Sequence, residues 1–208
     1  MMQAVRYFDT ITLAQVPREA IYRRLGFRRS STRMSSRQQK ETGSDIQNAL
    51  DLIRLQGAVL RLPFHVESAG RVVLPEDIVF TSINLATFLK DSAEILLMGA
   101  TAGEAVMEAI RRDTSGDHVT RAVVMDATAS ETVDAALDWI MSYLNQGLRR
   151  EGKTLLKTRY SAGYGDLALE NQRVIYKLLG MDRMGVAITD SCILVPEKSV
   201  TALTGIVA

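Results

Sequence analysis

Recognition groups are concentrated in one segment of the chain, residues 159–166, which read RYSAGYGD. Its two glycines let the backbone approach a ligand closely. Arg159 carries a planar guanidinium suited to a carboxylate, and Tyr160 and Tyr164 offer aromatic faces and hydroxyl groups. The segment is therefore a candidate ligand-binding loop. The residue types alone leave a second interpretation equally open, a glycine turn beside an arginine whose charged end reaches into solvent.

Familiar catalytic signatures do not accompany this loop. The sequence contains no G-x-x-x-x-G-K-[ST], no G-x-G-x-x-G, no H-E-x-x-H and no G-x-S-x-G. His65, in an apolar stretch, and His118, where a helix should begin, are expected to be structural or solvated residues. The lone Cys192 has apolar neighbours and is expected to be a small core residue. We predict no catalytic residue and no metal site.

Composition and charge indicate a globular protein and argue against several classes of partner and site. With 208 residues, 47% hydrophobic and 24% charged, the chain can bury a substantial core. A formal net charge of +1 gives no global field for nucleic acid or for an anionic membrane. One cysteine and two histidines rule out an internal disulfide framework and argue against a Cys/His metal site. No apolar run approaches the roughly 20 residues that span a bilayer, and the first residues lack the apolar region of a signal peptide. We expect a cytoplasmic protein.

The first third of the chain predicts two helices. Pro17 suits the first turn of a helix over Val16 to Leu25, and Gly26 supplies its end. Residues 44–45, Ser-Asp, are suited to cap a second helix. Between them lies a basic stretch from Arg28 to Lys40, which we expect to be exposed. It is either a solvated loop or a surface for an acidic redox protein.

From residue 58 onward, strand patterns alternate with helical patterns. The connections are short, which favours one compact domain over residues 1–208. The longest helical pattern is expected to break near residues 127–130. The predicted strands cover residues 58–68, 71–79, 94–98, 155–160, 185–189 and 199–207, and the predicted helices cover residues 85–89, 103–112, 119–148 and 167–179.

Three segments in a fixed order carry a family resemblance. The motif R-x-x-x-G-Y runs from Arg159 to Tyr164, and after the 167–179 helix come GVAITDS at 185–191 and PEKSV at 196–200. In order and spacing they resemble the activation domain of cobalamin-dependent methionine synthase, within residues 159–207. A looser match lies upstream, where VMDA and VDA resemble the helix of that family that carries an acidic residue near the ligand.

The resemblance implies an S-adenosylmethionine site contacted by Arg159, Ser161, Gly163 and Tyr164. It also implies that Asp134 is the acidic residue near the ligand. The alternative for Asp134, a solvated carboxylate on a helix face, stays open because other acidic residues flank it at helical spacing. The related domain further implies an α+β fold in one domain, with a twisted, largely antiparallel sheet and helices packed on it.

The function implied is that of a stand-alone reactivation module. Such a module would bind S-adenosylmethionine and support reductive methylation of cob(II)alamin carried by a separate methionine synthase, with a flavodoxin or ferredoxin as reductant. It would be an accessory component of that methyltransferase system. Two alternatives remain open at this stage: reactivation of another corrinoid protein, and an adapter that associates with a corrinoid protein without binding S-adenosylmethionine. Neither nucleic acid nor a membrane is expected as a partner.

Overall fold

The computed structural model describes residues 4–28 and 32–208 as a mixture of helices and antiparallel strands. The α+β fold predicted from the sequence is confirmed. The helices are α1 (Arg18–Arg24), α2 (Ser36–Leu52), α3 (Ile83–Phe88), α4 (Glu104–Ser115), α5 (Val119–Leu148) and α6 (Asn171–Leu179). The strands are β1 (Arg6–Phe8), β2 (Gln56–Pro63), β3 (His65–Glu67), β4 (Arg71–Leu74), β5 (Ile78–Thr81), β6 (Glu94–Thr101), β7 (Thr154–Leu155), β8 (Ala187–Ile188), β9 (Leu194–Val195) and β10 (Ser199–Val207).

A five-stranded antiparallel sheet in the order β1-β2-β6-β10-β7 forms the centre of the fold. Its three middle strands are apolar along almost their whole length because helices cover both faces. Successive side chains point to opposite faces of a strand, so β6 divides its residues between two cores. Leu96 and Met98 pack with α5 and α4 on one face, whereas Ile95 and Leu97 pack with α6 and α3 on the other.

Helix α5 covers the first of these faces and runs unbroken for 30 residues. The predicted break near residues 127–130 is wrong. Ala127, Thr128 and Ala129 are all buried there, and alanine is the residue most favourable to a helix interior. The hydroxyl of Thr128 donates to the carbonyl of Val124 at 2.7 Å, so its buried oxygen is satisfied within the helix.

The other face carries α6, which ends where the sequence predicts, at Gly180 with a φ of +55°. Helix α6 begins at Asn171 rather than at residue 167, because tight turns occupy residues 163–170. The predicted strand at 185–189 shortens to β8. It pairs with β9, a strand missed in the sequence, and not with the central sheet.

Several other boundaries differ from the prediction. The predicted strands 58–68 and 71–79 each divide into two strands, β2 with β3 and β4 with β5. Helix α2 begins at Ser36, because Ser35 and Gln38 form a reciprocal capping box; the predicted cap at residues 44–45 lies inside the helix. The predicted strand 155–160 is largely irregular. The chain from Leu155 to Tyr160 lies opposite a shorter stretch of β10, from Ile206 to Leu203, so it bulges away from the sheet between two paired points.

A cluster of charged side chains lies at one end of the central strands β2 and β6. The carboxylate of Glu94 accepts hydrogen bonds from Arg61 at 2.7 Å and from Lys153 at 2.6 Å. Arg61 also pairs with Glu151 at 2.9 Å. The Arg61 hydrogen bonds, followed by that of Lys153, lower the pKa of Glu94 from 4.5 to about 2. The cluster therefore links β2 and β6 to the chain that leads into β7.

This cluster predicts an acid-dependent contribution to stability. Because the folded-state pKa of Glu94 lies below its unfolded value of 4.5, the contribution is complete above pH 4.5 and is lost as the pH falls towards 2. We expect Glu94→Gln to lower the free energy of unfolding by about 1–3 kcal/mol at neutral pH. Urea unfolding at a series of pH values measures it. The difference from wild type should vanish near pH 2, and Glu108→Gln, at an exposed position on α4, should show no such trend.

Candidate functional site

The candidate loop lies between β7 and α6 and is anchored to β10. The amide of Tyr160 donates to the carbonyl of Leu203 at 2.9 Å, and the amide of Leu203 donates back at 2.8 Å. The hydroxyl of Ser161 donates to the carbonyl of Thr201 at 3.0 Å. Gly163 has a φ of +85°, a conformation that side chains with a Cβ disfavour. The start of the loop is therefore fixed by the sheet, and a glycine turns it back.

Asp166 fixes the far end of the loop at a distant helix. Its carboxylate accepts hydrogen bonds from the hydroxyl of Ser82, from the amide of Ile83 at 2.8 Å and from the amide of Asn84 at 3.3 Å. These amides belong to the first turn of α3, whose N–H groups have no partner within the helix. The Ser82 hydroxyl and then the two amides lower the pKa of Asp166. The clamp is therefore present at neutral pH and is lost only in acid.

Arg159 points towards α5, where two carboxylates receive it. Its Nη2 donates to Oδ1 of Asp134 at 3.0 Å, and its Nη1 donates to Asp138. The two acids are four residues apart and so lie on one helix face. The Arg159 side chain is only 18% exposed, whereas those of Asp134 and Asp138 are 57% and 70% exposed. A largely covered cation thus faces two solvated anions.

A cavity of about 380 Å³ opens at this point. Four of the five residues predicted to bind a ligand line it: Asp134, Arg159, Ser161 and Tyr164. Gly163 is not part of the lining; its amide donates to the carbonyl of Leu167 at 2.8 Å and closes the turn that presents its neighbours. The tertiary structure therefore brings helix α5 and the loop, distant in sequence, to one site.

Three elements of the cavity wall were not singled out in the sequence. Gln172 from α6, Ile193 from the loop before β9, and Thr201 from β10 all line it. Gln172 and Thr201 read as ordinary polar residues of a helix and a strand, so no sequence signal marked them. Ile193 is 46% exposed, but exposure is not visible in a single sequence.

Other predicted features lie away from this cavity. His65 lies on β3 with its side chain exposed, and His118 precedes α5 without making a side-chain cap. Cys192 is buried and free, as expected. A larger cavity of about 1030 Å³ lies beside α1 and includes Arg28, but Arg29 of the basic stretch lies outside the described residues.

Within residues 4–28 and 32–208, no group of three or more His, Cys, Asp or Glu residues is arranged to hold a metal ion. No helix in this part of the chain has the length and apolar character needed to cross a membrane.

Comparison with known proteins identifies the fold. No family model and no curated protein matches the chain. Among solved structures it is similar to the MetH reactivation domain bound to AdoHcy, with a TM-score of 0.73 and 14% sequence identity. The match covers 97% of this chain and 78% of that one. At this identity the likeness shows a shared fold, and it supports the resemblance inferred from the sequence at that level.

The Asp166 clamp predicts a local loss of protection. In Asp166→Ala the first-turn amides of α3 lose their acceptor, so hydrogen exchange at Ile83 and Asn84 should accelerate and the thermal midpoint should fall. Amide exchange followed by NMR measures this. Asp182→Ala, which removes an exposed carboxylate from the turn after α6, is the control. Unchanged exchange at both amides would contradict the clamp.

Proposed function

We propose that the protein binds S-adenosylmethionine in the cavity at Arg159 and supports reductive reactivation of cob(II)alamin on a separate cobalamin-dependent methionine synthase. The observation that carries the proposal is the convergence of Arg159, Asp134, Ser161 and Tyr164 on one cavity, in a chain whose fold resembles a reactivation domain bound to AdoHcy. The family resemblance implied these residues from the sequence alone, in which α5 and the loop are separate segments.

The charges around Arg159 suit an amino acid. A free α-amino acid group carries a carboxylate and an ammonium close together, and the site offers one guanidinium beside two carboxylates. Arg159 would bind the ligand's carboxylate through its planar fork. Asp134 and Asp138 would then accept from the ammonium. S-adenosylmethionine and S-adenosylhomocysteine both carry such an end.

The remaining wall suits the nucleoside end of the same ligand. The volume of about 380 Å³ lies within the range of about 300–1000 Å³ that is typical of small-molecule sites. Tyr164 is 71% exposed at the rim and offers an aromatic face for stacking. An open rim also suits a ligand whose methyl group must reach a cofactor on another protein.

The chemistry requires little from this chain beyond binding and orientation. S-adenosylmethionine supplies an electrophilic methyl group, and a flavodoxin or ferredoxin supplies the electron that reduces the partner's cobalamin. Neither step needs a side chain of this protein as base or nucleophile. Its residues would hold the ligand's amino acid end at Arg159 and leave the sulfonium side facing the partner.

The reductant is expected to meet a basic surface. Arg33, Arg37 and Lys40 are exposed at the start of α2, and Arg37 forms a partly neutralising pair with Glu41 at 2.7 Å. Electrostatic attraction of this kind raises association rates and falls with added salt. We propose this surface as the place where an acidic electron donor approaches.

Calorimetric titration with S-adenosylmethionine and S-adenosylhomocysteine tests ligand binding. We expect the wild type to bind both, and Arg159→Met to weaken the affinity by at least about tenfold because the ligand's carboxylate loses its charged partner.

Arg61→Met is the matched control for this titration. Arg61 is 18% exposed, as Arg159 is, and it also contacts two carboxylates, but it lies outside the cavity. Affinity should be unchanged in this variant. Absence of heat with the wild type, or equal affinity in Arg159→Met, would reject the ligand site and favour the alternative of an adapter for a corrinoid protein.

Reactivation itself can be followed by absorbance. The protein is mixed with a methionine synthase in its Co(II) form, a reductant and S-adenosylmethionine, and methylcobalamin formation is recorded. We expect formation to depend on this protein and to be slower with Arg159→Met than with Arg61→Met. If ligand binds but no methylcobalamin forms, the client is a different corrinoid protein, and pull-down of a corrinoid partner identifies it.

A further inference from the structure

A chain of hydrogen bonds connects two loops that line the cavity. The hydroxyl of Ser161 donates to the carbonyl of Thr201 at 3.0 Å, and the hydroxyl of Thr201 donates to Oε1 of Gln172 at 3.2 Å. The Nε2 of Gln172 then donates to the carbonyl of Cys192 at 2.6 Å. Gln172 therefore links the 159–166 loop, through β10, to the loop at 189–193.

The 189–193 loop has a conformation that its own sequence does not favour. Cys192 has a φ of +62°, in the left-handed region that residues with a Cβ disfavour. Hydrogen bonds within the turn hold it in part, from the amide of Cys192 to the carbonyl of Thr189 at 3.0 Å and from the amide of Ile193 to the Thr189 hydroxyl at 3.0 Å, and neighbouring groups on α6 add to them. Gln172 does so through the carbonyl of Cys192. Arg173, the next residue of α6, donates to the carbonyls of Thr189 at 3.0 Å and Asp190 at 3.2 Å.

The hydrogen bond from Gln172 to Cys192 also fixes the position of the next residue, Ile193, in the cavity wall. Ile193 follows Cys192 directly and lines the cavity, with 46% of its surface exposed. Gln172 lines the same cavity, so the amide that fixes the loop also borders the space for the ligand. A change at Gln172 would act on the wall formed by Ile193 as well as on its own contacts.

We infer that Gln172 is a positioning residue of the ligand site, because its amide holds the 189–193 loop against β10 and so places Ile193 as a wall of the cavity. The inference rests on the proposed function for the identity of the ligand. The placement of the loop itself can be tested without any ligand.

Gln172→Glu converts this tether into one that depends on pH. An ionised carboxylate can accept from Thr201 but cannot donate to the carbonyl of Cys192, whereas a protonated carboxyl group can do both. We expect the affinity for S-adenosylhomocysteine to be about tenfold weaker than wild type at about pH 8 and to recover towards wild type at about pH 4, where a carboxyl group with the ordinary glutamate pKa of about 4.3 is mostly protonated. Calorimetry at both pH values measures this.

Controls separate the tether from other titrations. The ionisable groups that line the same cavity are Asp134, Arg159, Tyr164 and Glu197, with Arg173 beside the loop; the wild type retains all of them and reports their contribution. Gln172→Met, which has neither donor nor acceptor at that position, should bind weakly at both pH values. Gln47→Glu on α2 should behave as wild type, because the Gln47 side chain hydrogen-bonds to Asp51 of its own helix and does not line the cavity.

The single cysteine gives a second readout. Cys192 is 5% exposed, so a disulfide reagent labels its thiol only when the 189–193 loop opens. At about pH 8, labelling should be several-fold faster in Gln172→Glu and Gln172→Met than in wild type and Gln47→Glu. In the wild type, S-adenosylhomocysteine should slow it.

The binding and labelling measurements distinguish failure of the proposed function from failure of the role of Gln172. If the wild type does not bind S-adenosylhomocysteine, the proposed function fails, and the labelling rates alone decide whether Gln172 holds the loop. If binding occurs but Gln172→Glu shows no recovery at low pH relative to Gln172→Met, or if labelling is equal in all variants, the positioning role of Gln172 is rejected.

Discussion

Strand β10 supports the candidate site through its backbone and its threonine hydroxyl groups. It pairs with β6 along its length and with β7 at its end, so it is held in the middle of the sheet. From that position Leu203 pairs with Tyr160, and the carbonyl of Thr201 accepts from Ser161. Thr204 donates to the carbonyl of Thr158 at 2.9 Å. The irregular chain before α6 thus takes its shape from a strand that cannot move without breaking the sheet.

Helix α5 contributes to the candidate site from the other side of the cavity. One of its faces is buried and apolar, and the other is exposed and carries acidic residues. Its small and apolar residues pack against α4, α2 and the sheet, which fixes its position. Asp134 and Asp138 lie on the face that remains exposed and reach Arg159 from there. Exposed ion pairs contribute little to stability. In the proposed function, the pairs at Arg159 would be exchanged for ligand contacts at a small cost, in contrast to the more covered cluster around Glu94.

Different kinds of hydrogen bond hold the two ends of the loop that carries the candidate site. Sheet hydrogen bonds hold its start, and the carboxylate of Asp166 holds its end at the first turn of α3. Between them Tyr164 is 71% exposed. A fixed frame with an exposed aromatic tip suits the proposed function, in which the site would bind a small ligand and present it to another protein.

By itself the sequence determined the type of most elements, because local rules suffice for them. Proline and glycine bound α1, glycine ends α6, a run rich in β-branched and apolar residues marks β10, and helical spacing marks α5. The loop at residues 159–166 also stood out, since its glycines, arginine and tyrosines are adjacent in the chain. The first residues of α2 and α6 were missed because capping and turn hydrogen bonds, rather than periodicity, decide where these helices begin.

Only the tertiary structure decided which distant residues meet. It placed Asp134 and Asp138 against Arg159, joined Asp166 to α3, and brought Gln172, Ile193 and Thr201 to the cavity. These contacts join residues tens of positions apart whose types are common on any helix or strand. Their pairing follows from the strand order of the sheet and from the face that each helix buries. A single sequence contains the groups, but packing of the whole chain selects their partners.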